Sequence, residues 1–232
     1  MLNQVTLRTR QLLIPTWGGR GAGRKPAGRR AGVPHRPRAA HDRRHPLHVT
    51  VRVVRGLPSL RADHVSPSLR RGLAAASKSR FRVVHFSVQA DHVHLPVEAD
   101  GIAALARGVQ GLSIRLAKAI NRVLGRRGRI WADRFHARAL RTPREVRNGL
   151  VYVLMNGRKH GVSRYGLDPC SSALWFEAWR QDETTPTPVV RARSWLLSVG
   201  WQRGGQIGQD AAPAMGHAAR RSARRCLRRR VR

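Results

Sequence analysis

The sequence predicts an α+β fold, an antiparallel sheet with helices packed on it, and three observations lead there. Residues 45–54 (HPLHVTVRVV) alternate apolar and polar positions with the two-residue period of a half-buried strand. FRVVHFSVQ (81–89) and HVHLPVEA (92–99) are two further β-rich runs joined through Ala90 and Asp91, a hairpin connection. Between and after these runs lie segments with helical spacing, so hairpin-linked strands interleave with helices.

The elements follow in chain order. Leu47, Val49, Val51 and Val53 mark the buried side of the first strand. SLRRGLAAASKS, roughly 68–79, follows Pro67 as a helix. After the 81–89 and 92–99 strands, Leu105, Val109, Leu112, Leu116 and Ile120 recur at helical spacing over about 102–124. A basic turn, GRRG (125–128), leads into the strand RIWADRFHARAL. Thr142-Pro143-Arg144-Glu145 then combines a capping box with proline at the first helical position, opening a helix to about Arg158. Its buried stripe is Val146, Leu150, Val153 and Leu154.

Composition narrows the function. Among 232 residues, Lys and Arg number 46 against 12 acids, a formal net charge of +34. Self-repulsion of that size opposes compaction, so a polyanion partner is expected, and nucleic acid gains affinity from each phosphate a cation neutralises. An arginine-rich genome accounts for Arg over Lys but not for the scarcity of acids. Two cysteines, Cys170 and Cys226, lack metal-ligand spacing, which sets aside a disulfide framework and fits a reducing cytoplasm. No apolar run approaches a membrane span. Residues 1–44 read as a basic disordered arm, 45–161 as the folded domain, and 162–232 as an extension with a linker near 182–188 and a basic tail.

Two segments carry chemistry. In DHVHLPVEA, His92 and His94 share one face of a strand while Val93, Leu95 and Val97 share the other. Two imidazoles so placed form a chelate for a divalent metal, although eleven histidines make such a pair easy to obtain by chance. In VRNGLVYVLMNGRKHG, Tyr152 and Asn156 stand one turn apart on a flank of the buried stripe. Gly149 leaves the turn before the phenol bare, for packing or for access. An ordinary half-buried tyrosine is the competing reading.

This ordered series resembles the HUH single-tyrosine transposases, and within them the REP-associated tyrosine transposases of bacteria. The resemblance rests on HPLHVTVRV, FRVVHFSVQADHVHLPVEA, GLSIRLAKAINRVLGRRGRIWADRFHARAL and TPREVRNGLVYVLMNGRKHG, which span about half the chain. It implies an HUH-nuclease sheet of the ferredoxin or RRM-like kind. It also implies Mg²⁺ or Mn²⁺ held by His92, His94 and Asn156, and single-strand DNA cleavage and rejoining through a 5′-phosphotyrosine on Tyr152. Single-stranded or hairpin DNA, a bacterial cytoplasm and nucleoid, and in some members a homodimer belong to the same resemblance. No dimer stripe is legible in this sequence.

From charge alone, Arg126, Arg127, Arg129, Arg134 and His136 are the candidate DNA contacts, specific or simply phosphate-binding. Trp131 and Phe135 are candidates for base stacking, with core packing the stronger expectation for Phe135. Two positions depart from the family. Asp91 stands where Asn is commoner. Pro96 deletes a ladder donor on the histidine face of a strand expected near the sheet centre, so the strand should bulge, become an edge, or carry a degraded site. A degraded site would leave a protein that only binds DNA. An RNA-binding module of similar sheet outline is the alternative from another class, but the strands lack paired stacking aromatics.

Overall fold

In a computed structural model of the protein, residues 40–159, 166–179 and 186–211 are described. Five strands form one antiparallel sheet: β1 (Leu47–Arg52), β2 (Phe81–Val83), β3 (Ser87–Val88), β4 (His92–Ala99) and β5 (His136–Ala139). The order is β2-β4-β1-β5, with β3 also pairing β4. The α+β class expected from the sequence is the one observed.

Alternation along β4 decides the layers. Val93, Leu95, Val97 and Ala99 face a core built with α1 (Ser66–Ala74) and α2 (Ile102–Val123). Leu105, Val109, Leu112, Leu116 and Ile120 are all buried there, the stripe that helical spacing expects. The opposite face of the sheet is covered by α3 (Pro143–Leu154), α4 (Asn156–Lys159) and α5 (Trp195–Ser198). A second cluster lies in this layer, with Val146, Leu150 and Leu154 of α3 against Val84, Phe176, Leu197 and Trp201. Strand β4 is therefore buried on both faces.

Pro96 is accommodated by a gap in the neighbouring strand. In an antiparallel ladder the N and O of one residue face the same neighbour, and Pro96 O accepts from Val84 N (3.0 Å) and His85 N (3.3 Å). Its missing N–H thus lies on the β2/β3 side. There the expected single strand 81–89 breaks between Val83 and Ser87. On the other side β4 pairs without interruption with β1, from Leu47↔Val97 to Arg52↔His92. The strand neither bulges away nor becomes an edge.

Three other elements differ from expectation. Helix α1 begins at Ser66 and ends at Ala74, because Pro67 occupies its first turn and does not precede it. The strand expected over RIWADRFHARAL shrinks to four residues, with Trp131 making only an isolated bridge to Val53. Helix α3 stops at Leu154, and Asn156 begins the short α4 after Met155. The start of α3 is as expected: Thr142 Oγ1 accepts from Glu145 N (3.2 Å), and the Glu145 carboxylate accepts from Arg141 N (2.7 Å).

The C-terminal segments are fastened to the sheet by buried polar groups. Asp168 pairs with Arg61 at 2.8 Å, and the same guanidinium donates to Val88 O (2.8 Å). Ser172 Oγ accepts from Phe86 N at 3.0 Å and lies 3.1 Å from Nδ1 of the buried His85. Burial pushes His85 down to about 4 from an ordinary 6.5, so it is neutral at pH 7.

Two consequences can be measured. A Cβ at Gly108 would lie 2.1 Å from the Phe81 ring, whereas one at Gly111 in the same helix meets nothing within 4 Å. Gly108→Ala should lower stability by about 1–3 kcal/mol, and Gly111→Ala should raise it by about 0.5–1 kcal/mol, both read from denaturant midpoints. For His85 the unfolded chain takes up the proton first. Stability should therefore fall as pH drops from about 6.5 and level off near 4, a slope that is shallower in His85→Gln by urea melts at each pH.

Candidate active site

Cross-strand register brings four histidines and a tyrosine to the face of the sheet beneath α3. Thr50 of β1 lies opposite His94 of β4 and, on its other side, opposite His136 of β5. His48 lies opposite Pro96 and Arg138 in the next row, and Arg52 opposite His92. These even-numbered positions point to one face. Tyr152 descends onto it from the flank of α3, its hydroxyl 3.4 Å from His94 Nε2. The His94 and Tyr152 rings meet edge-on with centroids 5.0 Å apart.

The two imidazoles face each other through their Nε2 atoms, 3.0 Å apart. Each has its other nitrogen occupied. His92 Nδ1 bonds to the Asp91 carboxylate, so that nitrogen carries the proton and Nε2 presents a lone pair. His94 Nδ1 lies 3.1 Å from both His48 Nε2 and Thr50 Oγ1, either of which can accept from it. The pair can share one proton as a neutral hydrogen bond, His94 Nε2 donating to His92 Nε2, or, with both Nε2 atoms unprotonated, can offer two lone pairs to one cation. Ligands at about 2.1 Å from an octahedral ion leave neighbouring donors about 3.0 Å apart, which matches the observed separation.

Asp91, the departure noted in the sequence, serves His92 and also lies 3.5 Å from Arg52. Burial alone would raise its carboxyl, but the hydrogen bond and charge of His92, with Arg52, leave it below its ordinary value. His48 is pushed down to about 4 by burial and by the nearby His136 and Arg138, so its ring is neutral at pH 7. Its position in the strand pattern marked it only as an outward polar residue. The cross-strand register that sets it beside His94 and the Tyr152 ring is not readable from one strand.

Asn156 is fully buried, and neither atom of its amide has a hydrogen-bond partner among the described residues. An amide left so carries a desolvation penalty of about 1–3 kcal/mol, which a bound ligand would remove. It does not share one continuous helix with Tyr152, since the break at Met155 intervenes. Among the described residues no cluster of three His, Cys, Asp or Glu forms a metal site. The donors brought together here are the two imidazoles, while Asn156 is a buried amide without a partner among the described residues.

The candidate DNA contacts divide. Arg134 and His136 are exposed, and His136 extends the His94–Thr50 row to the β5 edge. Arg127 is exposed on its turn. Arg126 and Arg129 instead turn back on their own loop: Arg126 toward Arg127 O (3.4 Å), Arg129 to the carbonyls of Trp131 and Ala132. Trp131 is partly buried against the core, and its indole N–H donates to Ser113 O at 2.9 Å. Phe135 likewise packs against the core. Gly149 has a packing reason, since a Cβ there would come within 3.1 Å of the Leu140 side chain. Residue 165, the second tyrosine, lies outside the described residues, as do most of the basic arm and the basic tail.

No family model matches this chain, and no curated protein matches it. A solved structure of a REP-associated tyrosine transposase bound to a REP hairpin is similar over 70% of this chain and 100% of that chain, at 19% identity and a TM-score of 0.48. Among the described residues no helix is long and apolar enough to cross a membrane.

Burial raises the Tyr152 hydroxyl above its ordinary 10. In the metal-free protein carrying Tyr165→Phe, the ultraviolet phenolate band of the remaining tyrosine should therefore emerge only above pH 10.

Proposed function

We propose that this chain is a metal-dependent enzyme that cuts and rejoins single-stranded DNA through a 5′-phosphotyrosine on Tyr152. One observation carries the reading: a phenol oxygen 3.4 Å from an imidazole nitrogen that itself faces a second imidazole nitrogen at 3.0 Å. A nucleophile and a cation-binding pair share one face of a sheet in a chain of net charge +34. That combination suits a phosphodiester, whose bridging oxygen must leave while its non-bridging oxygens are neutralised.

His92, His94 and the Asn156 amide would hold Mg²⁺ or Mn²⁺, which supplies Lewis-acid polarisation of the scissile phosphate. The chain's own residues do the rest. Asp91 orients the His92 ring, and His48 and Thr50 hold the His94 ring in place. The sheet and α3 hold the Tyr152 ring against the pair and shield it from water on one side. In cutting, Tyr152 sheds its proton and its oxygen bonds to phosphorus. The bond from phosphorus to the 3′ oxygen breaks, and that oxygen leaves with a proton as a 3′-hydroxyl. The phosphotyrosine keeps the bond energy, so attack by another 3′-hydroxyl reverses the step and rejoins strands. Arg127, Arg134, His136 and the β5 edge supply phosphate contacts along the strand.

The second reading, a relative that binds DNA without cutting it, drew its force from Pro96. With the central β1–β4 ladder intact and His92 and His94 converging, that force is reduced.

A labelled oligonucleotide carrying a cleavable site should become covalently attached to the full chain with Mn²⁺ and not with EDTA. Tyr152→Phe should lower the adduct by about a thousandfold or more while leaving DNA binding in place. His92→Ala and His94→Ala should weaken it through metal affinity, with excess Mn²⁺ restoring part of the loss. An undiminished adduct in Tyr152→Phe would exclude this tyrosine as the nucleophile. Because a proton competes for the same nitrogens, Mn²⁺ affinity by calorimetry should fall on acidification.

A further inference from the structure

A second cavity, about 670 Å³, opens on the same side of the sheet as α3 but at the opposite end of that helix from Tyr152. It is lined by Arg43 from the N-terminal approach, Arg141 and Pro143 at the start of α3, and Arg193, Ser194 and Trp195 from the C-terminal segment. Its wall is built around Glu98, the third even-numbered residue after His92 on β4. This buried carboxylate accepts from Ser194 N (2.7 Å), Arg193 N (3.0 Å) and Arg82 Nε (3.1 Å). Three donors saturate it, so its charge is spent on holding the wall.

Arg43, Arg141 and Arg193 are exposed, and none forms an ion pair among the described residues. Three guanidinium-bearing side chains line one concavity whose two acids, Glu98 and Asp100, are already paired with Arg82 and Arg80, and the remaining positive charge repels itself unless an anion enters. Ser194 Oγ, on the same wall, is buried with no hydrogen-bond partner among the described residues. Trp195 beside it is 48% exposed, with the Arg203 guanidinium over its ring at 4.8 Å. Cationic, hydrogen-bonding and apolar elements together describe a site for a nucleotide and not for a bare ion.

The distance fits a continuous strand. Four residues of β4 separate Glu98 from His94, about 13 Å at strand rise. Nine residues of α3 separate Pro143 from Tyr152, about 13–14 Å at helix rise. Cavity and tyrosine thus lie along one path on one face.

We infer that this cavity is a second binding site on the enzyme for the single DNA strand, seating a nucleotide that lies beyond the scissile phosphate. It rests on the reading of the chain as a single-strand DNA enzyme. Arg43, Arg141 and Arg193 take the phosphates, Ser194 bonds the nucleotide, and Trp195 contacts its base.

The test compares two charge-matched variants of the full chain: Arg43→Gln/Arg141→Gln/Arg193→Gln at the cavity, and Arg107→Gln/Lys118→Gln/Arg122→Gln on the exposed side of α2, across the sheet. Circular dichroism melts establish that both fold. Binding of a fluorescent single-stranded oligonucleotide is measured over a range of salt. At the cavity, affinity should fall about tenfold or more, and the log–log salt slope should flatten by about 2 for three lost phosphate contacts. The α2 variant should change both far less. Equal losses in the two variants would overturn the site and leave general charge attraction. Tighter binding of the matching RNA oligonucleotide, lost with the cavity arginines, would overturn the assignment to DNA. Wild-type protein without affinity for the oligonucleotide would remove the DNA reading itself, an outcome separate from the other two.

Discussion

Strand β4 must satisfy two buried faces with one alternating row of side chains. Its odd positions fill the core beneath α1 and α2, and its even positions carry His92, His94, Pro96 and Glu98 beneath α3. A slip of one residue would exchange the sets, placing imidazoles in the aliphatic core and valines under the tyrosine. The aliphatic face therefore fixes the register in which the polar face can meet Tyr152. Its uninterrupted pairing with β1 adds Thr50 and His48 to the same surface.

The polar face is affordable because nearly every group on it has a partner. Glu98 takes three donors, His92 has Asp91, and His94 has His48 and Thr50. Asn156 is the exception, a buried amide with neither atom satisfied among the described residues. An unsatisfied buried polar group is the kind of local cost that proteins keep at functional sites. Farther out, the Arg61–Asp168 pair and the Glu98 bonds tie residues 166–172 and 190–195 to the sheet. Removing one member of such a buried pair costs about 3–5 kcal/mol, so these ties hold the walls around the site as well as the chain's end.

Much of this was legible in the sequence because it depends on local period. The eight residues of β4, the buried stripe of α2 and the capped start of α3 all follow from spacing of two or 3.6 residues and from one Thr–Glu pair. Convergence of His92, His94 and Tyr152 was expected from chain order, and the geometry agrees with it. What escaped depends on pairing across long separations. His48 joins the site only through its place beside His94 in the β1–β4 register. The break in 81–89 follows from Pro96 on the neighbouring strand. Glu98 meets Ser194 across 96 residues. No local pattern reveals that the polar atoms of Arg126, Arg129 and Trp131 turn to backbone carbonyls.

The central claim is that DNA becomes attached to Tyr152 and to nothing else. Peptide mapping by mass spectrometry, after the full chain has reacted with a cleavable oligonucleotide and Mn²⁺, reads the attachment point directly. The expected result is a nucleotide joined through its 5′-phosphate to the peptide containing Tyr152. Attachment at another residue, or bound oligonucleotide with no covalent link under any metal, would contradict the account.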